Sequence, residues 1–151
     1  MHSEKRFNVW KINMNRNARR KARRFALQAI YQWQMTGTAL SEIENEFFES
    51  NDINKFDVDY FREILRGVIE FNARIDAQME PALDRPIGEL NPVELAALRM
   101  AIYELFYRPD VPYKVVINEA LDLTKIFGST DGFKFVNGVL DKVVTVNKLR
   151  K

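Results

Sequence analysis

The chain has 151 residues, 46% of them hydrophobic, and a net charge of +2, enough for one domain with its own core and too little for two. With no cysteine and a single histidine, His2, it lacks the material for disulfides, thiolate catalysis, cysteine-ligated zinc or a histidine acid–base pair, and the composition suits the cytoplasm. No run nears the roughly 18 apolar residues of a membrane span, and the first 20 residues lack the apolar stretch of a secretion signal.

The small net charge conceals a polarity. Residues 1–35 hold nine Lys or Arg against one Glu, residues 36–90 hold five against thirteen acids, and residues 91–151 return to a slight basic excess. Residues 1–17 fit no apolar pattern and are expected to be a disordered extension, with docking of Trp10 on the surface as the alternative. The run Ala18-Arg19-Arg20-Lys21-Ala22-Arg23-Arg24 follows. It stands where the first apolar stripe begins, and cations in a first helical turn oppose the helix dipole at a cost of about a few tenths of a kcal/mol each. Five basic residues in that place read as an electrostatic footprint for a polyanion.

Helical periodicity runs through the rest of the chain. Ala22, Phe25, Ala26, Ala29, Ile30 and Trp33 stripe a first helix ending before Gly37. Leu40, Ile43 and Phe47 stripe a second, with Ser41 as its cap. Phe61, Ile64, Leu65, Val68 and Phe71 stripe a third, preceded by the cap candidates Asp57 and Asp59, and Phe71, Ile75, Met79 and Leu83 either extend it or form a fourth after a break near Asn72. The segment Arg85-Pro86-Ile87-Gly88-Glu89-Leu90-Asn91-Pro92 punctuates the chain, with Asn91 as cap and Pro92 at the first helical position. Leu95, Leu98, Ile102 and Leu105 stripe a fifth helix. Val116, Ala120, Leu123 and Phe127 stripe a sixth, closed by Gly128, and Val136, Val139, Leu140 and Val143 stripe a seventh. Tyr113–Ile117 is rich in β-branched residues but has no second strand to pair with. The expectation is an all-α fold of about seven helices in two packed subdomains, residues 18–146 forming one domain with halves at about 18–84 and 91–146, and residues 147–151 a basic tail.

Catalytic readings fail on inventory. The serines at 3, 41, 50 and 129 have no base nearby, and Gly128, Gly132 and Gly138 are too dispersed to cradle a phosphate. Glu42, Glu44, Glu46 and Glu49 read as a solvated acidic face instead of a cation site, and Asp57 and Asp59 as caps. No catalytic residue, metal or cofactor is expected. What remains is binding surface. Asp131-Gly132-Phe133-Lys134-Phe135 interleaves aromatic rings with a lysine, the pairing that holds single-stranded nucleic acid. One ring is expected in the core and one outside, with Phe135 the contact.

Val111-Pro112-Tyr113-Lys114-Val115-Val116-Ile117-Asn118-Glu119-Ala120, Phe127-Gly128 and Lys134-Phe135-Val136-Asn137-Gly138-Val139-Leu140-Asp141-Lys142 closely resemble the C-terminal signature of the NusB transcription antitermination family. The resemblance extends to the arginine run, to Gln28-Ala29-Ile30-Tyr31-Gln32-Trp33 and to Glu94–Leu105, and covers about residues 17–145. It implies a helical RNA-binding domain that binds the boxA segment of nascent ribosomal RNA transcripts. It implies pairing with NusE, a small-subunit ribosomal protein, and loading onto RNA polymerase with other Nus factors. Carried over residue by residue, it implies RNA contacts at Arg19, Arg20, Arg23, Asp131, Lys134 and Phe135, and NusE contacts at Tyr31 and Glu94. Leu95 departs from the basic residue that many members carry there. The same module occurs fused to RNA methyltransferase domains, but no glycine-rich cofactor-binding turn is present here. A homodimer that hides the RNA face is a further possibility. A helical DNA-binding regulator would instead prefer duplex DNA, and a protein-only scaffold would keep its RNA affinity when the arginines are removed.

Overall fold

The structure, a computed structural model, describes residues 16–150. The expectations of a disordered extension and of Trp10 on the surface therefore fall, up to residue 15, outside the described residues. Seven α-helices follow one another: α1 (His2–Thr36), α2 (Leu40–Ser50), α3 (Val58–Glu70), α4 (Asn72–Met79), α5 (Pro92–Tyr107), α6 (Tyr113–Phe127) and α7 (Gly132–Val146). Single 3-10 turns at Glu80–Ala82 and Ile87–Glu89 carry the chain from α4 to α5. No strand occurs among the described residues, so the β-branched run at Tyr113 opens α6.

The fold is organised around α5. Every residue from Glu94 to Leu105 is buried, which is the pattern of a helix covered on all sides. It packs on α1, α3 and α4 from the first half of the chain and on α6 and α7 from the second. Beside it, Phe25, Phe47, Phe48, Phe56 and Phe61 form an aromatic cluster with ring centroids 5.0–5.9 Å apart.

Local chemistry sets the helix ends. Asp57 caps α3 by accepting from the Tyr60 N–H at 3.0 Å, and Asn91 caps α5 by accepting from Val93 and Glu94, with Pro92 at the first position. Ser41 does not cap α2: the helix starts one residue earlier, and the Ala39 carbonyl accepts from Glu42 and Ile43. The break between α3 and α4 falls at Phe71. Gly128 ends α6 at an ordinary φ of −98°; it is required for space, since a Cβ there would lie 2.6 Å from the Thr124 carbonyl oxygen. Glu44 is not on a solvated face. It is 6% exposed and accepts two hydrogen bonds from Arg66, at 2.7 and 3.0 Å.

At the centre of the first half, Arg23 and Glu104 form a buried pair, 3% and 1% exposed. Arg23 donates from Nε and Nη2 at 2.9 Å to the two carboxylate oxygens, and the Tyr60 hydroxyl donates to the same carboxylate at 2.6 Å. Burial, reinforced by Glu104, pushes the Tyr60 hydroxyl well above the usual phenol range. Over its ring lie the guanidinium groups of Arg19, at 4.3 Å, and Arg108, at 5.0 Å. Arg108 in turn forks onto Asp110 at 2.9 Å and reaches Glu63 at 2.7 Å.

Three expectations follow. Arg23→Met strands the Glu104 charge and lowers unfolding free energy by about 3–5 kcal/mol, much of it recovered when Glu104→Gln is added, as read by urea denaturation. Gly67→Ala places a Cβ 2.2 Å from Tyr103 Cε2, on a ring stacked on Tyr107 and bonded to Glu63; thermal unfolding should show a loss of about 1–3 kcal/mol despite better helix propensity, relieved by Tyr103→Leu. The Arg108 hydrogen bond holds the Asp110 carboxyl down at about 2. The folded state therefore binds that proton more weakly than the unfolded state, and the stabilisation is complete above the ordinary value of about 3.9 and lost as pH falls toward 2. Asp110→Asn should lower Tm at pH 6 and leave it unchanged near pH 2.

Candidate nucleic-acid interface

Helices α1 and α6 lie side by side and run the same way, because Arg20 meets Glu119 at one end and Tyr31 shares a pocket with Phe127 at the other. The groove between them is lined on one side of Arg20 by Arg16, Arg19, Pro112 and Val115, and on the other by Lys21, Arg24, Asp122 and Lys125. Arg20 donates from Nε to Glu119 at 2.9 Å while its side chain stays 65% exposed. That hydrogen bond and the Glu119 charge raise its pKa further above the ordinary value, so it is a fixed cation in the open groove.

The basic run divides by direction. Arg20 faces solvent, Arg19 lies half-buried on the Tyr60 ring, Arg24 stands over Phe25 at 5.5 Å, and Arg23 points inward to Glu104. Arg23 lines the floor of the groove, 3% exposed, with its guanidinium turned to Glu104, and so ties α1 to α5. The spacing carried this signal, since Arg23 lies three residues before Ala26 and seven before Ile30, on the buried stripe.

A second cationic patch forms where α7 begins. Asp131 and Lys134 are both exposed and 3.6 Å apart. Phe133 and Phe135 do not divide into one buried and one free ring: both are half-buried, and each carries a cation over its face. Lys125 Nζ lies 4.9 Å from the Phe133 centroid, and the Arg85 guanidinium 4.8 Å from that of Phe135. Lys125 also lines the α1–α6 groove, so the groove reaches the Phe133 ring through it. Neither Arg85 nor Lys125 stood out in the sequence, as each is a single cation far in the chain from the ring it covers.

Tyr31 is 39% exposed and lines a pocket of about 520 Å³ with Leu27, Phe47, Val93 and Phe127. Phe127, on the apolar stripe of α6, is the last residue of that helix and is 38% exposed, where it lines this pocket. Glu94 is 9% exposed, and a Cβ on Gly132 would lie 3.2 Å from its carboxyl group. Burial pushes its pKa up against the opposing charge of Arg85. It thus sits at the seam between the Tyr31 pocket and the start of α7. Leu95 faces a different groove, with Trp33, Ile87 and Leu90.

The family model described as the NusB family matches residues 20–145. The transcription antitermination protein NusB of Idiomarina loihiensis is 58% identical over 127 residues, 84% of this chain and 91% of that protein. Its counterpart in Shewanella amazonensis is 53% identical over 134 residues, 89% of this chain and all of that one. Among solved structures, T. maritima NusB superposes with a TM-score of 0.75 at 30% identity, covering 83% of this chain and 89% of that one. A crystal structure of the antitermination factors NusB and NusE in complex with double-stranded RNA superposes at 0.76 with 26% identity, covering 84% and 96%. By residue pattern, helix arrangement and extent of match, this chain belongs to the NusB family.

Proposed function

We propose that this protein is a transcription antitermination factor that binds boxA RNA of nascent ribosomal RNA transcripts together with NusE. The observation that carries this reading is the line of cations that α1 presents to the α1–α6 groove, which Lys125 extends to the Phe133 ring at the start of α7. Arg19, Arg20, Lys21 and Arg24 supply charge for phosphates, which gives affinity without sequence preference. Asp131, Lys134 and Phe135 lie where unstacked bases can be met by a ring face and by polar groups, which gives sequence preference. Arg23 acts through position, by holding α1 against α5. The chain works by binding alone, in the cytoplasm beside the transcribing polymerase, and joins RNA polymerase and other Nus factors indirectly.

The protein partner takes the other end of the same helices. Tyr31 and its pocket offer an apolar seat, with Glu94 at its edge. The acidic excess of residues 36–90 suits a basic ribosomal partner. Arg20 and Tyr31 are eleven positions apart on α1, about 16 Å along the axis, so RNA and NusE can be held together without competing.

The test is fluorescence anisotropy of a labelled boxA RNA and a scrambled control, with and without NusE, over a salt series. Preference for boxA, sharpened by NusE, with a log–log slope of about −0.7 per phosphate contact, is expected. Arg19→Ala with Arg20→Ala should reduce the slope by about 0.7 for each arginine that meets a phosphate. Equal binding of both RNAs with no effect of NusE, or tighter binding to duplex DNA, would overturn the reading.

A further inference from the structure

The linker between α4 and α5 places one arginine against the rings of α7, and nothing in the packing of the core requires it. Arg85 is exposed, and its guanidinium lies over Phe135, well within the roughly 6 Å of a cation–π contact. Two features hold it there. Pro86 follows it and restricts its backbone to extended conformations, and Asp84 accepts from Nε at 2.9 Å and from Nη2 at 3.4 Å. Neither hydrogen bond uses Nη1. The ion pair joins adjacent residues and is open to water on both partners, with side chains 45% and 66% exposed, so its contribution to stability is small. Glu94 and Glu89 add a weaker field.

Phe135 packs against the core and stands one helical position from exposed Lys134. A base arriving there meets the guanidinium plane as well as the ring. A guanidinium plane stacks a base as an aromatic ring does, and it also brings a charge and free N–H donors to the phosphate.

We infer that Arg85 is a nucleotide-binding residue, the outer layer of the Phe135 stacking site, which stacks a single-stranded base on its plane and donates from Nη1 to the backbone phosphate. The inference rests on the proposed RNA-binding function and adds to it a residue from the linker, so that both halves of the chain grip the nucleic acid.

The experiment uses the full chain and single-stranded boxA RNA carrying 2-aminopurine at one position at a time. Arg85→Ala should weaken binding about three- to ten-fold and lower the salt slope by about 0.7. It should also relieve the quenching of one 2-aminopurine, at the same position relieved by Phe135→Ala. Arg85→Lys should keep the salt slope and lose the quenching, since it keeps the charge without the plane. Circular dichroism melting of Arg85→Ala should match the parent Tm within about 2 °C, as expected for an exposed pair. Unchanged or tighter binding by Arg85→Ala, the latter meaning that the arginine only covers the ring, would overturn the assignment. If Arg20→Ala and Phe135→Ala also bind as the parent does, the RNA-binding reading falls with it; if those two weaken binding and Arg85→Ala does not, only the assignment of Arg85 falls.

Discussion

The buried pair of Arg23 and Glu104 is the constraint on which the basic surface depends. Two charges at 3% and 1% exposure are tolerable only because each hydrogen-bonds the other twice over and Tyr60 supplies a further donor. This geometry fixes the rotation of α1 about its axis. With Arg23 directed inward, Arg20 is directed to the groove and Arg19 onto the outer face of Tyr60. One inward arginine thereby sets the direction of the others, and the surface that phosphates would meet is built before any RNA arrives. Preorganisation of this kind reduces the ordering that binding must otherwise impose on long basic side chains.

The parallel course of α1 and α6 separates two kinds of surface along one groove. At the Arg20 end the α1 wall is cationic and faces Glu119 and Asp122 of α6, and at the Tyr31 end the walls are apolar and aromatic. Glu94 and Gly132 join the apolar end to the start of α7. A side chain on Gly132 would crowd the Glu94 carboxyl, so this seam needs the smallest residue for close approach rather than for an unusual backbone angle.

Most of the fold could be read from the chain because its signals are local. Apolar stripes placed six of the helices and left α4 open between an extension of α3 and a helix of its own, Asn91 and Pro92 marked the start of α5, and Asp57 was one of two cap candidates for α3. The errors lie where a partner distant in sequence decides. Ser41 lost to the Ala39 carbonyl as the start of α2, and Glu44 was drawn inward by Arg66. The site was legible as residue types and less so as geometry. The arginine run and the Phe-Lys-Phe segment were visible. That Arg85 and Lys125 would lie over those rings was not, since cation–π contacts leave no periodicity in the sequence.

The complete enclosure of α5 has a consequence for how the molecule opens. A helix buried from Glu94 to Leu105 and shared by both halves cannot expose its amide protons by fraying of either half alone. Its exchange with solvent is tied to unfolding of the whole, whereas the C-terminal end of α7 can open locally. The basic groove and the aromatic pocket are therefore walls of one cooperative unit, and neither persists as a folded fragment once the other is lost.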